Sequence, residues 1–99
     1  MALTNENKKK YRLIGHNLKP VVTIAGKGLN ENVLAELERA LDDHELIKVK
    51  VSIIDKEIRK QAIDEMCSSL NAEKVQEIGK VTLLFRASRK TSTKKSNVR

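Results

Sequence analysis

The sequence is poor in the residues that build disulfides, metal centres and aromatic surfaces. Its 99 residues include one Cys, two His, one Pro, one Tyr, one Phe and no Trp. A single cysteine excludes an internal disulfide, and with two scattered histidines it does not form the ligand set of a zinc site. The two aromatic residues, Tyr11 and Phe85, lie on predicted apolar faces. This argues against domains that stack bases on exposed rings.

Long apolar runs and catalytic motifs are also missing. No apolar stretch approaches the length that spans a bilayer, and no apolar signal region opens the chain, so we expect a cytoplasmic protein that binds no membrane. No segment has the spacing of a Walker A or dinucleotide-binding motif, and no Ser, His and Asp grouping stands out. We therefore expect a protein without catalytic activity, cofactor or metal ion.

Basic residues concentrate at the two ends of the chain, and the formal net charge is +7. Residues 1–20 contain five Lys or Arg and one Glu, and residues 86–99 contain six Lys or Arg and no acidic residue. The middle contains nine basic and twelve acidic residues. Basic ends on a slightly acidic body indicate a polyanionic partner, nucleic acid before membrane, although such ends in other proteins only maintain solubility.

The pattern of apolar residues predicts the element order α-β-α-β-α-β-β. Three residues are candidate N-caps of the helices: Thr4, Asn30 and Asp55. Pro20 ends the first helix. Four strands are predicted, at 21–24, at 47–53, at 74–78 as a weaker edge strand, and at 81–86 after a Gly79-Lys80 hairpin.

Two helices must cover one sheet face to bury their apolar stripes, which gives a two-layer α+β domain that we place at residues 1–88. Residues after Arg86 are Ser, Thr, Lys and Arg with almost nothing apolar. Such a composition cannot build a packed core, so residues 89–99 are predicted to be a basic tail that is disordered when free.

Ala25-Gly26-Lys27-Gly28 is the stretch most suggestive of a binding site. It follows the first strand and precedes the second helix, whose N-terminus adds unpaired N–H groups. Glycines allow a ligand backbone to approach closely, and the lysine suits a phosphate. The alternative is a tight turn in which glycine only relieves backbone strain.

Several segments together resemble one family. They are Leu18-Lys19-Pro20-Val21-Val22, the glycine loop with Leu29-Asn30-Glu31, His44-Glu45-Leu46-Ile47-Lys48-Val49, Val75-Gln76-Glu77-Ile78-Gly79-Lys80 and Leu84-Phe85-Arg86. The chain thereby resembles the bacterial YhbY-type proteins, which are stand-alone CRM domains (chloroplast RNA splicing and ribosome maturation). The resemblance covers about residues 8–88. The family loop is usually Gly-x-x-Gly, whereas here its first glycine falls on Ala25, Gly26 comes next, and Gly28 is retained.

The resemblance implies a fold like the C-terminal domain of bacterial initiation factor three, with a four-stranded mixed sheet in the order 1-2-4-3. It also implies RNA binding and association with precursors of the large ribosomal subunit. We expect the protein to be a monomer. The residues that we expect to contact RNA are Lys8, Lys9, Lys10, Arg12, Lys19, Ala25, Gly26, Lys27, Gly28, Asn30, Lys48, Lys50, Arg86, Arg89 and Lys90. Two other functions stay open: a small protein-interaction adaptor with solubilising basic ends, and an architectural DNA-binding protein.

Overall fold

The computed structural model describes residues 3–25, 29–87 and 96–98. Its elements are α1 (Asn5–Gly15), β1 (Pro20–Ile24), α2 (Glu31–His44), β2 (Leu46–Val51), α3 (Lys56–Leu70), β3 (Glu73–Ile78) and β4 (Val81–Phe85). The strands form one sheet in the order β1-β2-β4-β3. The predicted element order and sheet order are therefore confirmed.

The sheet is mixed, with the two most apolar strands in its centre. β1 pairs with β2 in parallel, whereas β4 is antiparallel to both β2 and β3. The register places Lys48 opposite Leu83, and Lys50 opposite Val81. β3 carries an irregularity between Lys74 and Gln76, where its residues shift against those of β4. This irregularity accounts for the weak alternation of apolar and polar residues in the third predicted strand.

Each helix begins directly after the N-cap residue that the sequence predicts. The backbone N–H groups of Asn7, Val33 and Ile58 donate to the side chains of Thr4, Asn30 and Asp55, at 3.1, 2.9 and 3.0 Å. These bonds satisfy N–H groups that have no partner within the helix.

The main core lies between the sheet and the helices α2 and α3. Its fully buried members alternate along the central strands, as Ile47, Val49 and Val51 do in β2. α2 contributes Leu37 and Leu41, and α3 contributes a stripe that starts at Ile63. Ile58, which the periodicity places on that stripe, is 54% exposed, so the buried part of α3 begins later than expected.

α1 packs on the opposite face of the sheet, which the two-layer prediction did not include. Leu46, Val75 and Leu83 form a second buried cluster there, because alternate strand residues point to opposite faces. The apolar residues of α1 and of the segment after it, Tyr11, Ile14 and Leu18, pack against this cluster. The helix covers only part of this face.

Residues Ser96–Val98 contact the folded domain, which differs from the expectation of a disordered tail. Ser96 Oγ donates to Glu45 Oε1 at 2.8 Å, and Asn97 Nδ2 donates to the Leu46 carbonyl at 2.6 Å. Val98 packs on the cluster under α1. Two side-chain hydrogen bonds and one apolar contact thus hold Ser96–Val98 against the domain, although the composition of this segment predicts disorder. Residues 88–95 and 99 lie outside the described residues, and the domain boundary at 88 stays a prediction.

None of the helices in the described ranges combines the length and the apolar character that crossing a membrane requires.

Candidate nucleic-acid interface

The part of the sheet that α1 leaves uncovered is an open face with a basic character. We define the open face by Thr23, Lys48, Lys50, Gln76, Ile78 and Val81. Leu46, the first residue of β2, points to the same side of the sheet and is buried under α1. Lys48 and Lys50 follow at two-residue spacing, so they point to the same side beyond the helix end.

The open-face lysines have no acidic partner in the described parts of the chain. The ion pairs there join Lys74 to Glu77, and Arg86 to Glu38 and Asp42. Lys50 is exposed, and Lys48 is half-buried. Two ammonium groups without counter-ions on one surface attract a polyanion such as a nucleic-acid backbone.

The glycine loop begins beside the open face. β1 and β2 are parallel, so both strands end at the same edge of the sheet, which we call the carboxyl edge. There the Ser52 N–H donates to the Ile24 carbonyl at 2.7 Å, and the Val51 N–H donates to the Lys80 carbonyl at 2.6 Å. Ala25 follows Ile24 directly and is exposed. Asn30, also at the end of this connection, caps α2 with its side chain.

Gly26, Lys27 and Gly28 lie outside the described residues, as do Arg89 and Lys90. Their predicted contacts with RNA stay predictions.

Of the other predicted basic residues, those on α1 lie on the side of the sheet where the open face is. Lys19 is exposed and precedes Pro20, which is opposite Lys48. On α1, Lys9, Lys10 and Arg12 are exposed and Lys8 is half-buried. Because α1 packs on the side of the open face, its charged residues add to the positive potential there.

Arg86 lies elsewhere and has a structural environment. Its guanidinium donates to Glu38 Oε2 and Asp42 Oδ1, both at 2.9 Å, and to the Leu70 carbonyl at 2.9 Å. The side chain is 17% exposed. Arg86 therefore connects β4 to α2 and to the end of α3, and we do not include it in the interface.

Sequence reasoning missed several open-face residues. Thr23 could have been found from strand alternation, because it is next to the buried Ile24. Gln76 and Ile78 could not have been found in this way, because the irregularity in β3 breaks the alternation that would assign them to a face.

A larger cleft on another part of the surface has the wrong charge for a polyanion. It has a volume of about 910 Å³ and is lined by α1, α2, the end of α3, the start of β3 and the end of β4. Its charged residues are Glu38, Asp42, Glu73 and Arg86. Tyr11 and Phe85 line this cleft and pack against each other, with their ring centroids 4.9 Å apart.

The described residues also contain no group of three or more His, Cys, Asp or Glu side chains placed to hold a metal ion.

The profile of the CRS1/YhbY (CRM) domain matches residues 3–86. The chain belongs to this family. A Pseudomonas aeruginosa protein named as a probable RNA-binding protein is 50% identical over 98 residues, which is 99% of this chain and 94% of the relative. A Haemophilus influenzae CRM relative named as an RNA-binding protein is 42% identical over 87 residues, 88% of each chain.

A solved structure shares the CRM fold. The solution structure of a hypothetical protein of Staphylococcus aureus superposes with a TM-score of 0.79 at 30% identity. The match covers 92% of this chain and 95% of that one. The match to the CRM family spans α1 to β4, so the open face and the carboxyl edge are surfaces of the CRM domain.

Proposed function

We propose that the protein is a non-catalytic RNA-binding module that binds ribosomal RNA in precursors of the large ribosomal subunit and assists their assembly. The observation that carries the RNA-binding part is the pair Lys48 and Lys50 on the open face. Within the described residues neither has an ion-pair partner, and the strand that carries them ends at the same edge as β1, where the glycine loop begins. The names of the relatives from Pseudomonas aeruginosa and Haemophilus influenzae support this.

The ribosomal target rests on the resemblance to the YhbY-type CRM proteins. The proposal places the protein in the cytoplasm as a monomer. It includes no catalytic step, because RNA binding needs only phosphate contacts that neutralise charge and position the strand.

The binding test compares two double charge reversals. In Lys48→Glu/Lys50→Glu both changes lie on the open face, whereas in the control Arg39→Glu/Lys60→Glu they lie on exposed positions of α2 and α3. Both variants change the net charge equally. We expect RNA affinity to fall about tenfold or more only in the first, with the salt slope reduced by about 1.4 for two lost single-strand phosphate contacts. Equal losses in both variants would mean that only net charge matters.

The ribosomal target is tested by sedimentation at low salt. The parent should migrate with large-subunit precursors, and the open-face variant should be released. Absence from every precursor fraction would exclude this target. A weak RNA affinity with a flat salt response would favour the adaptor. Stronger binding to duplex DNA than to structured RNA would favour an architectural DNA-binding protein.

A further inference from the structure

A small pocket lies in the open face, where α1 ends. It is lined by Gly15, His16, Lys48, Gln76, Ile78, Val81 and Leu83 and has a volume of about 60 Å³. Since one water molecule needs about 10–15 Å³ on this scale, the pocket has room for roughly four to six. That space is comparable with the size of one flat heterocyclic ring.

The floor of the pocket is apolar, and one of its sides is formed by backbone. Leu83 is 3% exposed, Val81 is half-buried, and Ile78 is 59% exposed. Gly15 has no side chain, so the end of α1 approaches Leu83 closely: a Cβ at position 15 would lie 2.3 Å from Leu83 Cδ1. An apolar floor below a few polar groups is the usual composition of a small-ligand site.

The polar groups of the pocket have unused hydrogen-bonding capacity. In the described part of the chain, the half-buried Gln76 amide and the half-buried Lys48 ammonium form no side-chain hydrogen bond or ion pair. An amide offers one acceptor and two donors, which matches the edge of a nucleobase, and an ammonium group offers donors to a phosphate.

We propose that this pocket receives one unpaired nucleobase of the bound RNA, with Gln76 on the base edge and Lys48 on the adjoining phosphate. The proposal rests on the RNA-binding function proposed above and deepens it. A base within a duplex has both faces stacked and its pairing edge occupied, so it cannot enter a recess. The pocket therefore favours single-stranded or bulged RNA over a continuous duplex.

The test measures affinity for labelled oligouridylate, whose base has a single ring, and for the duplex that it forms with oligoadenylate. We expect the parent to prefer the single strand. Gln76→Leu keeps the side-chain volume but removes the amide, and should weaken single-strand binding about three- to tenfold, the effect of one hydrogen-bonded pair. Duplex binding should stay within about twofold of the parent, because it does not use the amide.

Two further variants make the test specific. Val81→Phe places a ring over the floor of the pocket and should reduce single-strand binding only. Gln61→Leu makes the same change at an exposed position of α3 and should alter neither affinity. Thermal melts verify that each variant is folded.

Two results would overturn the proposal in distinguishable ways. If the parent binds duplex and single strand equally, or if Gln76→Leu weakens both to the same extent, the pocket does not take a base although the protein still binds RNA. If the parent binds neither RNA, the proposed function fails, and the pocket proposal fails with it.

Discussion

Gly15 and Leu83 are in contact where the last residue of α1 meets a central strand of the sheet. A Cβ atom at position 15 would lie 2.3 Å from Leu83 Cδ1 and 2.8 Å from its Cδ2, distances that Cβ atoms do not adopt. Leu83 is 3% exposed, so surrounding atoms restrict its movement on every side except that of the small pocket. The missing side chain therefore sets how closely α1 approaches the sheet.

Gly15→Ala should destabilise the protein, although alanine normally favours a helix over glycine. The helix gain is about 0.5–1 kcal/mol, whereas overpacking a buried contact typically costs about 1–3 kcal/mol. We expect a net loss of about 1 kcal/mol in the free energy of unfolding, measured by urea denaturation.

Leu83→Ala provides the matched background for this measurement. With the leucine removed, the clash is gone, and Gly15→Ala should become neutral or stabilising. An equal loss in both backgrounds would show that the contact is not the cause.

Arg86→Ala should reduce stability rather than RNA affinity. The change removes hydrogen bonds to Asp42, Glu38 and the Leu70 carbonyl. Hydrogen bonds to charged groups contribute about 1.5–3 kcal/mol each when buried, and less here because Glu38 and Asp42 are half-exposed. We expect a loss of about 2 kcal/mol in urea denaturation.

Arg86→Lys should recover little of this loss, since an ammonium group cannot reproduce the planar fork of a guanidinium. The prediction is wrong if Arg86→Ala unfolds like the parent but binds RNA more weakly per folded molecule.

Lys27→Glu should weaken RNA binding and leave the fold intact. The sequence places Lys27 between two glycines, outside every apolar stripe. Charge reversal removes one phosphate contact, so the salt slope of binding should fall by about 0.7 for a single strand. Titrations at two or more salt concentrations, with a thermal melt, measure both properties. Lys60→Glu on α3 is the control, and affinity equal to the parent's would assign the loop a purely structural role.

The Cys67 thiol should alkylate slowly at mildly alkaline pH. Burial and, secondarily, the nearby Asp64 carboxylate raise the pKa of Cys67 above its ordinary value, while Lys74 opposes them. A raised pKa lowers the fraction of reactive thiolate at a given pH. The pH profile of iodoacetamide labelling should therefore have a midpoint above that of the urea-unfolded protein.

Two substitutions test the causes of this shift. Asp64→Asn should lower the pKa of Cys67 and move the profile to lower pH, and Lys74→Gln should move it to higher pH. Identical profiles for the folded and unfolded protein would contradict the burial effect.

Strand order and helix starts could be predicted because their signals are local or belong to the family pattern. Thr4, Asn30 and Asp55 are capping residues whose side chains reach the N–H three residues later. The position of α1 could not be predicted, because its stripe fits either face of a sheet. The face on which α1 packs is determined by the second apolar cluster, which lies on the side that α2 and α3 do not cover. This cluster consists of Leu46, Val75 and Leu83.

The candidate site was only partly predictable. Strand alternation places Lys48 and Lys50 on one side of β2 without knowledge of the tertiary structure. Arg86 has the same charge and was predicted to bind RNA, but its partners Glu38 and Asp42 are more than 40 positions away in sequence. Composition cannot distinguish a basic residue on an open surface from one that is bound by carboxylates.

The position of β4 has a consequence for biosynthesis. β4 is a central strand of the sheet, yet it is the last strand in the part of the chain that the structure describes. When a nascent chain has emerged only as far as Gly79, β1 and β2 can pair, but β3 lacks its one partner and β2 exposes an unpaired edge. Such edges are prone to pairing with other chains. Emergence of Val81–Phe85 from the ribosome therefore decides when the sheet can close, and until then the nascent domain depends on protection from aggregation.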